Sequence, residues 1–174
     1  MIIGICGKSG SGKDFIVGRM KEAFGVLEMK SYTTRAMRPG EVEGAKYHFV
    51  SVDAFQKIVQ DGKFVEFVEY GGTFYGTTKE EVQQAITSDA TYVMIATPSG
   101  LNEIEQSLEQ GHLVRIYIEV DESIRDKRFI ARLNGKETEQ DYQALEKRKA
   151  QDDLTFAGAK EQCDMVIDNS KEFK

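Results

Sequence analysis

The sequence predicts an α/β domain in which a parallel sheet is covered by helices on both faces. Three observations carry this expectation. Short apolar runs recur at residues 1–6, 26–31, 91–96, 113–120 and 164–168, and stretches with helical spacing separate them. Strands that alternate with helices in this way pair in parallel through right-handed crossovers. The first run leads through Gly7-Lys8-Ser9-Gly10-Ser11-Gly12-Lys13 into a helical pattern, the strand, glycine turn and helix context of a phosphate-binding P-loop. Between about residues 32 and 86 the rhythm breaks into short strands around Gly71-Gly72, as a smaller inserted α/β piece would.

Each element follows from local chemistry. Residues 1–6 are a buried strand in which Cys6 acts as a small hydrophobe. Phe15, Ile16, Arg19, Met20 and Ala23 lie near helical spacing over 14–24. Residues 26–31 form a second short strand, and 34–46, with Arg38-Pro39-Gly40, form a polar loop. A brief strand at 47–50 precedes a helix over 52–60 that Gly62 stops. Gly71-Gly72 joins strands 64–70 and 73–75 as a hairpin. Thr78-Lys79-Glu80-Glu81 is a capping box ahead of a helix through Ile86. After strand 91–96, Thr97 is the N-cap and Pro98 the first residue of a helix that Gly111 ends. Strand 113–120 follows, and Asp121 caps a helix to about Leu133. Asn134-Gly135 breaks that helix, a long helix runs to about Lys160, and 164–168 is the last strand. There is no internal repeat. The expected organisation is one domain over 1–174: a core of 1–31, 87–121 and 151–174, an insertion at 32–86, and a charged helical cover, or lid, at 122–150.

Composition narrows the function. A chain of 174 residues can bury a sizeable core, and its apolar and charged fractions of 40% and 30% are those of a soluble globular protein. No apolar run is long enough to span a bilayer and no secretory pattern opens the chain, so no membrane and a cytoplasmic location are expected. His48 and His112 lack ligand-like spacing with Cys6 and Cys163. A net charge of −6 argues against a general nucleic-acid binder. Yet basic residues gather at Arg35 and Arg38 and again at Arg125, Lys127, Arg128, Arg132 and Lys136, which suggests a local anion pocket. A monomer or small homo-oligomer is expected.

The glycine-rich turn supplies the chemistry. Glycines let backbone N–H groups converge on a phosphate, and the following helix adds unpaired donors and the positive end of its dipole. Gly7, Lys8, Ser9, Gly10, Ser11, Gly12, Lys13 and Asp14 are therefore the candidate ATP-binding residues, with Lys13 a point charge at the β- and γ-phosphates. Asp14 stands where Ser or Thr usually ligates Mg²⁺; its carboxylate is still a hard oxygen ligand, so Asp14 is the candidate metal residue.

A second candidate is a carboxylate in an apolar strand. Period two puts Phe64, Glu66, Val68 and Tyr70 on one side. Glu66 there needs donors. A guanine Watson–Crick edge, with N1–H and the exocyclic amine pointing the same way, would supply them; so would a nearby Arg or Lys, and both readings are open.

The stretch from Ser31 to Gly44, Tyr47-His48-Phe49-Val50, Phe64-Val65-Glu66 and Tyr75-Gly76-Thr77 resembles the GMP-binding region of guanylate kinases. With the P-loop before it and the Arg-rich stretch behind, the resemblance covers nearly the whole chain. It implies a P-loop kinase fold with a nucleoside-monophosphate-binding insertion and a lid, and ATP-dependent phosphorylation of GMP and dGMP to the diphosphates with Mg²⁺. It also implies that Arg35, Arg38, Tyr47 and Tyr75 hold the acceptor phosphate and that Ser31, Glu66 and Thr77 read guanine. Lys13, Arg38, Arg132 and Arg148 would then serve the transferred phosphoryl group. Guanidinium forks suit phosphate, and no side-chain nucleophile or base is required. Lys136 stands in place of a family Arg and Thr77 in place of Ser. Ile95-Ala96-Thr97 lies where the family places two acidic residues; with Asp14, this points to an exchange of one acid for another at the metal site. A related monophosphate kinase with altered base choice keeps the same phosphate residues. An inactive guanylate-kinase-like binding module is a third reading, opposed by the intact Gly7, Gly12 and Lys13.

Overall fold

A computed structural model describes residues 1–108, 113–131 and 138–171. Among these, the central sheet comprises β1 (Ile2–Cys6), β2 (Leu27–Glu28), β7 (Tyr92–Ile95), β8 (Leu113–Glu119) and β9 (Met165–Asp168), in the order β2-β7-β1-β8-β9. Every pairing in it is parallel. Alternation along the strands divides the core between the two faces. Ile2, Cys6, Met94 and Tyr117 meet Val82 and Ala85 of α3 (Lys79–Thr87) and Leu101 and Ile104 of α4 (Pro98–Gln106). Ile5, Val93, Ile116 and Ile118 meet Ile16 and Val17 of α1 (Lys13–Phe24) on the other. Gly4 lets α4 approach: a Cβ there would stand 2.5 Å from Leu101 Cδ2.

The second sheet has the order β4-β3-β6-β5, built from β3 (Ser31–Thr33), β4 (Tyr47–Phe49), β5 (Phe64–Tyr70) and β6 (Thr73–Thr78). β3 and β4 pair in parallel, while β6 pairs antiparallel with both β3 and β5. Its apolar centre is aromatic. Phe55 of α2 (Val52–Gln60), itself 1% exposed, has its ring centroid 4.6 Å from that of Phe64 and 5.5 Å from that of Phe74. Gly71 and Gly72, with φ of 61° and 76°, make the tight turn that joins β5 to β6.

Several elements differ from the sequence expectation, each for a local reason. The apolar run 26–31 serves two sheets: the Met29 N–H still donates to Val93 O, but the Ser31 N–H donates to Lys46 O in the second sheet. β6 runs on to Thr78. At α3, Thr78 caps the Glu81 N–H, but the Glu81 carboxylate accepts from the Lys30 N–H rather than closing the box. A reciprocal capping box forms instead at Thr138 and Asp141, at the start of α6 (Glu139–Thr155). α6 ends at Thr155, about five residues short of the end expected near Lys160, and Gly158 (φ 67°) turns the chain into a 3₁₀ turn at Lys160–Gln162. α4 ends at Gln106 and α5 spans Glu122–Ala131; Gly111, Leu133, Asn134 and Gly135 lie outside the described residues. Cys6 and Cys163, distant in sequence, have their Sγ atoms 3.6 Å apart as free thiols. No described helix is long and apolar enough to cross a membrane.

Phe55→Ala is expected to cost about 3–5 kcal/mol in urea unfolding, the range for truncating a packed aromatic; a loss below about 1 kcal/mol would mean that the second sheet does not depend on this cluster.

Candidate active site

The site begins where β1 ends. The chain turns through Gly10 and Gly12, whose φ values of 77° and 84° are left-handed, and Gly12 caps α1 without a side-chain bond. The first-turn N–H groups of α1 therefore face the turn as an anion site. Lys13 lies across the loop, its Nζ donating to Gly7 O (2.6 Å) and Lys8 O (3.1 Å). Burial lowers its ammonium to about 8, against the pull of Asp14 and Asp152.

The loop is fastened from behind. Asn169 Nδ2 donates to Ser11 O (2.8 Å) and Arg128 Nη1 to Gly10 O (3.2 Å). A Cβ on Gly12 would stand 2.5 Å from Asn169 Nδ2. Lys8 pairs with Asp153 at 2.5 Å. Asp152, 1% exposed, accepts from the Ser9 N–H (2.8 Å) and from Ser9 Oγ (3.2 Å). It also accepts from the Tyr70 hydroxyl and pairs with Arg125 at 3.5 Å.

A cavity of about 190 Å³ joins this loop to the second sheet. Gly7, Ser9, Lys13 and Asp14 form one wall, while Ser31, Tyr47, Glu66 and Tyr75 form the facing one. Thr97 lies on the floor, where its hydroxyl accepts from the Gly100 N–H as the N-cap of α4. Glu66 is 5% exposed. Thr77 Oγ1 donates to its Oε1 (2.7 Å), and Ser31 Oγ lies 3.3 Å from Thr77 Oγ1. Burial, with a smaller contribution from Glu103, raises the Glu66 carboxyl to about 7. Among the described residues no Arg or Lys is ion-paired with it, so the salt-bridge reading of Glu66 is not what the structure contains. Phe64 is not on the Glu66 face as strict alternation predicts. A β-bulge between Phe64 and Glu66 rotates it to the side of Phe67 and Phe55.

The remaining candidates take other positions. Arg35 is engaged in a bidentate pair with Glu41 (2.9 and 2.8 Å), and its guanidinium lies 5.5 Å from the Tyr47 ring centroid. The Arg35 hydrogen bond holds Glu41 down at about 2. Arg38 is exposed, and its backbone N–H donates to the same Glu41. Arg148 lines a smaller cavity on the far side of Ser9, with Asp152, and its Nη2 lies against Gly71. Arg132 and Lys136 lie outside the described residues. Arg125 and Arg128 are spent on Asp152 and on the P-loop carbonyl of Gly10, and Lys127 is exposed. Among the described residues of that segment, Arg125 and Arg128 brace the loop from behind. Asp14 is bonded to Lys46, which also reaches Glu28 at 3.2 Å. Tyr70 and Asp152 were not singled out by sequence; a lone Asp in a charged helix carries no local signal of burial.

Comparisons with known proteins agree with this geometry. A family model described as guanylate kinase matches residues 2–172. The chain is 30% identical over 161 residues to the guanylate kinase of Thermosynechococcus vestitus, covering 92% of this chain and 81% of that one. It is 32% identical over 166 residues to that of Synechococcus sp. strain CC9311, covering 95% and 84%. The crystal structure of guanylate kinase from Anaplasma phagocytophilum superposes with a TM-score of 0.66 at 22% identity, over 98% of this chain and 77% of that one; it has the same P-loop kinase fold.

The raised Glu66 carboxyl has a consequence for stability. It binds its proton more tightly folded than unfolded, so the contribution is present at low pH and is lost as pH rises from about 4.5 through about 7. Glu66→Gln is therefore expected to be more stable than the natural chain at pH 8, by up to about 3 kcal/mol, with the advantage gone at pH 4. Urea unfolding at both values checks this; an advantage that does not change with pH would refute it.

Proposed function

The chain belongs to the guanylate kinase family, and from that premise we propose that the cavity takes ATP and GMP or dGMP and transfers the γ-phosphoryl group to give ADP and GDP or dGDP. The observation that carries this reading is the facing of a buried carboxylate, Glu66, and a P-loop lysine, Lys13, across one cavity. Ionised Glu66 accepts from guanine N1–H and the exocyclic amine, while adenine offers an acceptor at N1 and is repelled. Thr77, which donates to Glu66 Oε1, aims the carboxylate, and Ser31 supports Thr77.

Tyr47 and Tyr75 hold the acceptor phosphate with Arg35 and Arg38. Arg35 already presents a fork to the carboxylate of Glu41, and a phosphate would take the place of that carboxylate. An acceptor oxygen attacks the γ-phosphorus as the bond to the β–γ bridging oxygen breaks. The acceptor phosphate is mostly dianionic at neutral pH, so no base is needed. Gly7 through Lys13 cradle the donor phosphates, and Lys13, Arg132 and Arg148 offset charge on the transferred group.

When bound with ATP, Mg²⁺ would supply charge neutralisation of the phosphates. Asp14, an exposed carboxylate at the cavity wall, is the side chain that would hold it. Mg²⁺ commonly uses one or two carboxylates and keeps waters, so a single carboxylate at this position suits an ion that arrives with the nucleotide. In this reading 1–31, 87–121 and 151–174 form the core, 32–86 the acceptor-binding insertion and 122–150 the lid, and the protein works in the cytoplasm.

With ATP and Mg²⁺, ADP release is expected with GMP and dGMP and not with AMP, CMP, UMP or dTMP. Lys13→Ala is expected to lower turnover about 100-fold or more with circular dichroism unchanged. Turnover confined to another monophosphate would move the substrate, and a near-natural rate for Lys13→Ala would sink the mechanism. Because guanine needs the ionised carboxylate, the KM for GMP is expected to rise as pH falls below about 7; a KM flat from pH 8 to 5.5 would remove Glu66 from guanine recognition.

A further inference from the structure

One turn of α6 touches both halves of the site. At its inner side Asp152 accepts from the Ser9 N–H (2.8 Å) and Ser9 Oγ (3.2 Å) of the P-loop, and Lys8 pairs with Asp153 (2.5 Å). At its outer side the same turn meets the β5–β6 hairpin. The Tyr70 hydroxyl donates to Asp152, and the Gly71 N–H donates to Gln151 Oε1 (3.3 Å). Ser9 Oγ and Tyr70 Oη are themselves 2.9 Å apart. Tyr70 shares its strand face with Glu66 and Val68 and lines the main cavity with them.

The arrangement is tightly constrained. Asp152 is 1% exposed, and its ion-pair partner among the described residues, Arg125, stands at 3.5 Å with a buried Nε that has no hydrogen-bond partner among them. The carboxylate therefore depends mainly on Ser9 and Tyr70 for compensation. Loss of any one of these bonds leaves a buried charge under-solvated, so the three residues hold their positions together.

We propose that Asp152 is a positioning residue that, through Tyr70 and Ser9, couples occupancy of the acceptor site to the affinity of the P-loop for the phosphate donor. The proposal rests on the two-nucleotide reading above. A nucleotide seated against Glu66 fixes β5. Fixed β5 holds the Tyr70 hydroxyl on Asp152, and Asp152 holds Ser9. The bonds that already shape the P-loop are thereby stiffened before the donor arrives, and the donor bears less of the cost of fixing it. The coupling is therefore positive, and by linkage each nucleotide tightens the other by the same factor.

The test is calorimetric titration of the full chain with a non-hydrolysable ATP analogue, with and without saturating GMP. In the natural chain GMP is expected to tighten the analogue by about 5-fold or more, the lower end of usual coupling. Tyr70→Phe, which removes only the hydroxyl, is expected to bring that factor below about 2-fold, and Asp152→Asn to do the same. The two variants guard against a failure of either to fold. A purely structural role for the network would weaken each nucleotide alone and leave the ratio unchanged, and that result overturns the proposal. So does a natural chain that binds both nucleotides independently. A natural chain that binds the analogue but not GMP overturns the acceptor reading itself, and the coupling with it.

Discussion

A phosphate-binding turn must point its N–H groups into a cavity while its carbonyls and glycines are held by something else. In this chain the holding is done from outside. Asn169, at the end of β9, bonds Ser11 O; Arg128 of α5 bonds Gly10 O; Asp152 of α6 bonds the Ser9 N–H. β1 sits at the centre of the parallel sheet, between β7 and β8, so its carboxyl end delivers the turn to a crevice with sheet on both sides. Ligand sites in open parallel sheets form at such carboxyl ends. The order of strands, the reach of α5 and α6 and the return of the chain along β9 all serve to keep one seven-residue loop in a conformation that only glycines allow at Gly10 and Gly12.

The second demand is set by a carboxylate out of water. Glu66 is costly where it stands, and the fold reduces that cost without cancelling it: Thr77 donates to the carboxylate and burial still lifts it to about 7. A fully paired Glu66 would be more stable and less able to bind anything. The incomplete pairing leaves the group with acceptor capacity, which the proposed guanine ligand, with its two parallel donors, would use. Gly100 contributes by being small, since a Cβ there would stand 3.0 Å from Glu66 Oε2. Thr97, where an acid was expected from the family pattern, is occupied as the N-cap of α4, and this explains how the strand end can lose a charge without losing its structure.

Much of this was legible in the sequence where a pattern repeats. The parallel strands, α2 with its ends, the Gly71-Gly72 hairpin and the Thr97-Pro98 helix start all rest on periodicity or turn chemistry that acts over a few residues, whereas the placing of Lys13 and Glu66 in one site came only through the family resemblance. What was not legible depends on tertiary handover or on isolated residues. The run 26–31 looks like one strand because apolar sequence does not record which sheet each backbone N–H will join. The bulge that turns Phe64 away from Glu66 leaves no mark in an alternating pattern. Asp152 lies in a charged stretch, Asp152-Asp153, of which one carboxylate is buried and the other solvated; nothing local distinguishes them. The basic residues of α5 suggested an anion pocket because charge is visible in sequence, while its partners, Asp152 and Gly10 O, are not.

Those partners explain how a chain with a net charge of −6 can be built to receive polyanions. Four of the described cations near the cavity are already matched to oxygen. Arg35 is held by Glu41, Lys46 by Asp14 and Glu28, Arg125 by Asp152, and Lys13 by the carbonyls of Gly7 and Lys8. Bare cations at this density would repel one another and strain the fold. Pairing them lets the fold carry them, and the strength of each pair decides what a phosphate can displace. The Lys13 contacts are to neutral carbonyls, and burial lowers the ammonium there to about 8, so a new negative neighbour would favour its charged form. The Arg35–Glu41 pair is half-solvated, so Glu41 can swing into water when a phosphate takes its fork. Arg125–Asp152 is buried and cannot be exchanged without stranding a charge. The pairs are therefore graded, from the Lys13 contacts at the cavity and the partly exposed Arg35–Glu41 pair to the buried Arg125–Asp152 pair behind the loop, and in the proposed reading this gradient separates the groups that meet ligand from those that keep the loop in shape.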